Sequence, residues 1–136
     1  MSDARENAAR IHAAWHEAVR TGDLEGALAL YADDAILESP LALPVFGDGS
    51  GIVVGKEKLR AFFVLGAAKL KGEFGRWRRE PRFFTAGRYL TWEYPRETPD
   101  GDQFDLVEMM EIENGRIARH RVYWGRFGVQ QLLAMD

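Results

Sequence analysis

Two long runs of alternating residues near the C-terminal end, separated by Asn114-Gly115, constrain the fold more than any other stretch. Strict alternation marks half-buried strands, and Asn-Gly between two of them marks a hairpin. In the first strand, 103–113, Phe104, Leu106, Met110 and Ile112 share one face with a single carboxylate, Glu108. In the second, 116–124, Ala118, Val122 and Trp124 share a face with a single imidazole, His120. Whether the two faces coincide depends on the turn. A two-residue Asn-Gly turn pairs Glu113 with Arg116 and sets the Glu108 face against Arg119 and Arg121. A three-residue loop, Glu113-Asn114-Gly115 with Gly115 at positive φ, pairs Ile112 with Arg116 and brings the apolar faces together. Register follows the hydrophobic pattern where a face is buried, so the second is expected. Glu108 then lies directly across from His120, with Cβ atoms roughly 5 Å apart.

A carboxylate and an imidazole in apolar surroundings can hold and pass a proton near neutral pH. They can equally be a buried hydrogen bond that only ties two strands, because such pairs mark functional sites only statistically. Both readings stay open at this point. The opposite face carries Asp105, Val107, Met109 and Glu111 beside Ile117, Arg119, Arg121 and Tyr123. That mixture of apolar and charge-complementary residues is more than a solvent face needs, and it points to a homodimer.

Upstream the grammar is helical. Asp3 and Glu6 form a capping-box pattern ahead of a stripe made by Ile11, Trp15, Ala18 and Val19. Gly22 ends that helix, and Asp23 can cap a short second one carrying Leu24, Ala27, Leu28 and Tyr31. A short strand follows at 35–39, and then two prolines and four glycines within 40–55 read as a long loop, a candidate lid. A third helix carries Leu59, Phe62, Phe63 and Gly66, after which strands 76–84 and 88–95 precede the hairpin, with turns at Ala86-Gly87 and Pro99-Asp100-Gly101. Helices first and a strand meander afterwards imply α+β in a single domain, 1–136. The chain of 136 residues, 46% hydrophobic and 29% charged, can bury a real core. A net charge of −3 gives no general attraction to nucleic acid or anionic lipid. The absence of cysteine excludes disulfides, thiolate metal sites and cysteine nucleophiles. No run reaches the length of a membrane span and the N-terminus has no apolar core, so a cytoplasmic protein is expected.

Several of these residues form a familiar set: Trp15, Thr21-Gly22-Asp23, Tyr31-Ala32-Asp33-Asp34-Ala35, Glu38-Ser39-Pro40, Gly55, Phe62-Phe63, Asn114-Gly115-Arg116-Ile117 and Tyr123-Trp124. Their spacing resembles the nuclear transport factor 2-like superfamily, in particular the SnoaL-like proteins and ketosteroid isomerases. The resemblance implies a cone-shaped roll of N-terminal helices on a curved, mostly antiparallel sheet, an interior pocket, and pairing of subunits through the sheet. It leaves the activity open, since this fold hosts isomerases, dehydratases, cyclases, epoxide hydrolases and silent binders. Against the ketosteroid isomerase pattern, Ser39 stands where the general-base aspartate belongs, Trp15 at the oxyanion tyrosine and Phe63 at a supporting tyrosine. Tyr31 matches the tyrosine network, and Glu108 falls where those enzymes keep a protonated aspartate. His120 falls at a position usually apolar there. With base and oxyanion tyrosine both replaced, ketosteroid isomerase activity is not expected.

The remaining candidates read more plainly. Trp15, Tyr31, Trp92, Tyr94 and Trp124 can line an aromatic pocket, though each alone is as well explained by core packing. His12 and His16, one helical turn apart, lack a third metal ligand and read as a solvated helix face. Arg76-Trp77-Arg78-Arg79 reads as a charged strand that discourages edge pairing, and Gly47, Gly49, Gly51 and Gly55 as loop glycines. The expectation is therefore an enzyme on a small hydrophobic substrate, with Glu108 and His120 exchanging protons. Trp15, Tyr31, Ser39, Phe63, Trp92, Met110, Val122 and Trp124 are expected to shape the pocket, and no cofactor or metal is called for. The alternative is a catalytically silent ligand-binding or dimerisation module.

Overall fold

A computed structural model describes residues 2–70, 82–94 and 104–135, with Ser2 and Tyr94 described by backbone alone. The expected strand start at Arg76, the basic run 76–79, the Pro99-Asp100-Gly101 turn, Gln103 and the side chain of Tyr94 lie outside those residues.

Helix α1 spans Ser2–Thr21, so Asp3 sits inside its first turn rather than capping it. Its apolar stripe, Ala8, Ile11, Trp15 and Ala18, is buried at i, i+3, i+4 spacing. Gly22, at φ 71, takes the left-handed conformation that ends the helix. The Asp23 amide then reaches Ala18 O at 2.8 Å and the Gly22 amide Val19 O at 3.4 Å. Asp23 in turn caps α2 (Leu24–Leu28), accepting from the Gly26 amide at 2.9 Å. The end of α1 and the start of α2 are thus both capped within two residues.

Tyr31, expected on the second helix, instead opens strand β1 (Tyr31–Glu38). Segment 40–55 is not one long loop: it holds helix α3 (Ala42–Phe46) and strand β2 (Ile52–Val54), and β2 pairs with β1. Alternation of Ile52, Val53 and Val54, with only Val53 buried, is a strand signal too short to outweigh the surrounding glycines. Helix α4 (Lys56–Leu70) buries Leu59, Phe62, Gly66 and Leu70 on one side. Gly66 brings that side of the helix close to α3, since a Cβ on it would stand 3.2 Å from Leu41 Cδ2.

The remaining strands are β3 (Phe84–Ala86), β4 (Tyr89–Tyr94), β5 (Leu106–Glu113) and β6 (Arg116–Trp124), followed by helix α5 (Arg126–Leu133). Among the described residues the strands form one six-stranded, unclosed sheet in the order β2-β1-β6-β5-β4-β3. All neighbours are antiparallel except β1 and β6, which run parallel. The result is a curved mixed sheet wrapped on helices, the α+β cone expected from the sequence. Its inner face contributes Leu37, Leu90, Trp92, Leu106, Met110 and Ile117 to a single core with Ile11, Trp15 and Leu59 of the helices. Each such side chain, taken fully out of water, stabilises the fold by about 2–3 kcal/mol before entropy is counted.

The hairpin corrects the expected register. Asn114 (φ 53) and Gly115 (φ 74) form a two-residue turn with both central residues at positive φ, and Glu113 pairs with Arg116. Arg10 of α1 donates to Gly115 O at 2.8 Å and holds the turn against the first helix. Unrelieved, that register would place Glu108 and His120 on opposite faces. One extra residue, Ala118, is accommodated between the pairs Ile112–Ile117 and Glu111–Arg119, and this bulge restores the coincidence of apolar faces. The extra residue therefore sits in β6 and not in the turn. In consequence Ile117 joins the buried face (0% exposed) and leaves the outer surface assigned to it. Glu108 pairs with Val122 and His120 with Met110, so the two polar residues are diagonal rather than opposed.

Candidate active site

A cavity of about 550 Å³ lies between the inner face of the sheet and helices α1, α2 and α4. Its wall is predominantly apolar, built by residues such as Leu24, Leu37, Leu41, Phe62 and Leu70. The exposed residues Arg20, Thr21, Gly22 and Asp23, where α1 hands over to α2, form part of its rim. At the deep side Glu108 and His120 line it, each 2% exposed, together with Ser39 at 4%.

Diagonal placement still brings the pair into contact: His120 Nε2 and Glu108 Oε1 are 2.6 Å apart. On the far side of the ring, His120 Nδ1 lies 2.7 Å from Tyr31 Oη. The Trp15 indole N–H donates to that same phenol oxygen at 3.3 Å. Four side chains from α1, β1, β5 and β6 thus form one buried hydrogen-bonded line ending at the cavity wall. Burial raises the pKa of Tyr31, only partly offset by the Trp15 hydrogen bond and reinforced by the charge of Glu108, so it stays a phenol. Ser39 accepts the Leu41 amide at 3.2 Å, which closes the turn after β1.

Of the residues expected to shape the pocket, Trp15, Ser39, Phe63, Val122 and Trp124 line the cavity with Glu108 and His120. Tyr31, Trp92 and Met110 do not. Tyr31 is fully buried behind His120, Met110 pairs with His120 in the sheet, and Trp92 pairs with Glu108 from β4. Their apolar bulk backs the polar pair instead of facing the space. The expected lid contributes only Leu41 to the wall. The α2 and α4 faces of the cavity were visible in the sequence as helical stripes, but a stripe does not distinguish core from cavity lining.

His12 and His16 are a second correction, since both are 7% exposed and not on a solvated face. His12 packs on Phe83 at 4.6 Å and edge-on to Trp92 at 5.0 Å between ring centroids, and on His16 at 4.3 Å. His16 donates from Nδ1 to the His12 carbonyl at 2.8 Å. Burial, then the neighbouring His16, pushes the His12 pKa down to about 4. Among the described residues no group of three His, Cys, Asp or Glu side chains lies together as a metal site would require. No helix among them is long and apolar enough to cross a membrane.

A cone of helices and curved, unclosed mixed sheet is the architecture of the nuclear transport factor 2-like folds. The sequence profile of the SnoaL-like domain matches residues 12–120, and the chain belongs to that family. Solved structures agree on the fold. A SnoaL-like protein of unknown function from Burkholderia thailandensis superposes with a TM-score of 0.70 at 18% identity, covering 89% of this chain and 97% of that one. A putative ketosteroid isomerase from Kribbella flavida gives a TM-score of 0.59 at 14% identity, covering 89% and 79%. TerC, co-crystallised with polyporic acid, gives 0.67 at 20% identity, covering 93% and 98%. No curated protein matches the chain in sequence.

Proposed function

We propose that this protein is an enzyme that moves a proton on a small, largely apolar substrate held in the cavity, with Glu108 and His120 as the reacting pair. The observation that carries this reading is the 2.6 Å hydrogen bond between them on the wall of a predominantly apolar cavity. A buried polar pair is a poor way to gain stability, since apolar residues of similar volume often serve as well or better. Set against a space of about 550 Å³, within the usual range for small-molecule sites, the same pair is well placed to do chemistry. As a carboxylate, Glu108 can take a proton from a C–H or O–H of the substrate, leave the bonding electrons on the substrate, and return the proton at another atom. That exchange needs no redox partner, and it is common to isomerase, cyclase, dehydratase and epoxide-opening reactions. Ser39 in place of a base and Trp15 in place of an oxyanion tyrosine keep ketosteroid isomerisation outside the proposal. A small-molecule ligand is also consistent with TerC, a protein of the same fold crystallised with polyporic acid.

The test is turnover on any substrate found by screening enones, epoxides and cyclic ketones. Glu108→Gln keeps the volume and an acceptor oxygen for His120, so it should fold normally and lose roughly 10²–10⁴-fold in kcat. Undiminished turnover would assign the cavity to a silent binder.

We further propose that two copies pair through the outer face of the sheet. Ile52, Val54 and Tyr123 are 48%, 57% and 55% exposed there. Register aligns them in rows with charges of both signs, Val54-Ile36-Arg119-Glu111, Ile52-Glu38-Arg121-Met109 and Tyr123-Val107-Glu93. A second copy turned by a two-fold axis would meet apolar residues and complementary charges on the same patch.

A further inference from the structure

Tyr31 and Trp15 were expected to face the ligand, but the geometry gives Tyr31 a different task, one that depends on the proton inventory of the buried line. An indole N–H can only donate. Trp15 therefore spends its hydrogen on Tyr31 Oη, which accepts. The phenol hydrogen must then find an acceptor of its own, in a residue 0% exposed to solvent. The other hydrogen-bond partner of Tyr31 is His120 Nδ1, at 2.7 Å. Were Nδ1 to carry a hydrogen, two donors would converge on the phenol oxygen. The phenol hydrogen would be stranded without a partner, an arrangement that buried polar groups avoid. Nδ1 is accordingly the acceptor, and the ring carries its hydrogen on Nε2, aimed at Glu108 Oε1 2.6 Å away. Every hydrogen in the line Trp15, Tyr31, His120, Glu108 points the same way.

We infer that Tyr31, held by Trp15, is a positioning residue that fixes His120 as its Nε2–H tautomer, so that Glu108 and not His120 is the group that meets the substrate. Both ring nitrogens of His120 are engaged, one by Tyr31 and one by Glu108, so a proton exchanged with a ligand passes through the carboxyl group. The imidazole acts through Glu108: its N–H holds one carboxylate oxygen in place and stabilises charge there. Ring contacts hold this arrangement in turn, since Trp15 meets His120 edge-on at 6.1 Å and Tyr31 lies nearly parallel to it at 6.0 Å between centroids. This inference rests on the proton-transfer reading for its meaning, but the tautomer itself can be read without any substrate.

The experiment is nitrogen NMR of the full chain with labelled histidine. Three histidines give few signals, and His120 is assigned by its loss in His120→Asn. At neutral pH the wild-type protein should show a proton-bearing Nε2 and a hydrogen-bonded, pyridine-type Nδ1. Tyr31→Phe removes one hydroxyl group and should move the Nδ1 signal towards its unbonded position or mix the two tautomers. Trp15→Phe should produce a smaller change of the same sign. With a substrate in hand, Tyr31→Phe should lower kcat roughly 10- to 100-fold, as for other groups that orient a histidine through its second ring nitrogen, with little change in KM. A wild-type spectrum with the hydrogen on Nδ1 overturns the inference, and so do His120 signals that ignore the loss of the Tyr31 hydroxyl. The wild-type spectrum decides the matter alone should the variant fail to fold. Full turnover in Glu108→Gln would sink the enzymatic reading while these spectra still decide the tautomer.

Discussion

Buried His12 makes the stability of this protein fall on mild acidification, by an amount its environment sets. Its pKa lies near 4 in the folded chain, against 6.5 for an unperturbed histidine, because Phe83 and Trp92 replace water around the ring and His16 disfavours a second charge. Above pH 6.5 the folded and unfolded chains both carry a neutral His12, and the residue is silent. Between pH 6.5 and 4 only the unfolded chain binds the proton, so stability falls as pH falls. Below about 4 both states are protonated and the loss is complete. At about 1.4 kcal/mol for each pH unit in that window, the total is roughly 3 kcal/mol. That is a large share of the ~5–15 kcal/mol that holds a typical domain folded. The assay compares urea unfolding of the wild type and His12→Leu at intervals from pH 8 to pH 4. Leucine fills similar space among the same rings and does not titrate. The stability difference between the two proteins should be flat down to about pH 6.5 and then shift in favour of the variant by roughly 3 kcal/mol. A difference that stays constant across the whole range would refute the reasoning, because it would mean that His12 is solvated or paired in the folded state.

Asp105 should latch the C-terminal helix, since its carboxylate accepts from the Gly128 amide at 2.7 Å and the Phe127 amide at 3.4 Å. Asp105→Ala should cost about 1 kcal/mol in a melt and speed amide exchange in α5 selectively; uniform exchange across the chain would count against a local latch. For the outer sheet face, light scattering at micromolar concentration should report a dimer, and Tyr123→Glu should convert it to a folded monomer. A wild-type monomer would end that proposal.

The sequence was most legible where one local rule had no competitor. Gly22 and Asp23 announced the end of α1 and the cap of α2, and the alternation around Glu108 and His120 announced a shared buried face. The register was not legible in the same way. Two ways of adding one residue, in the turn or within β6, both restore the apolar pattern, and periodicity cannot choose between them. Asn-Gly favours the tight turn strongly enough to move the bulge to Ala118. Tyr31 was misplaced because its spacing from Leu24, Ala27 and Leu28 fits a helix, while its partner in β6 lies far along the chain. His12 and His16 were read as solvated because histidine is polar by itself. Their burial depends on Phe83 and Trp92, which only the fold brings near. The cavity shows the same limit, since Phe62 and Leu70 look like core in any helical stripe.

The central claim is that Glu108 and His120 act as one proton-transfer unit, and a double-mutant cycle on kcat tests it most directly. Glu108→Gln and His120→Asn should each lower turnover by roughly 10²–10⁴-fold while leaving the melting curve nearly unchanged. The double variant should be far less impaired than the product of the two losses, because the second substitution removes a partner that no longer has a task. Turnover that survives intact in all three proteins would contradict the account and leave the pair as a tie between two strands.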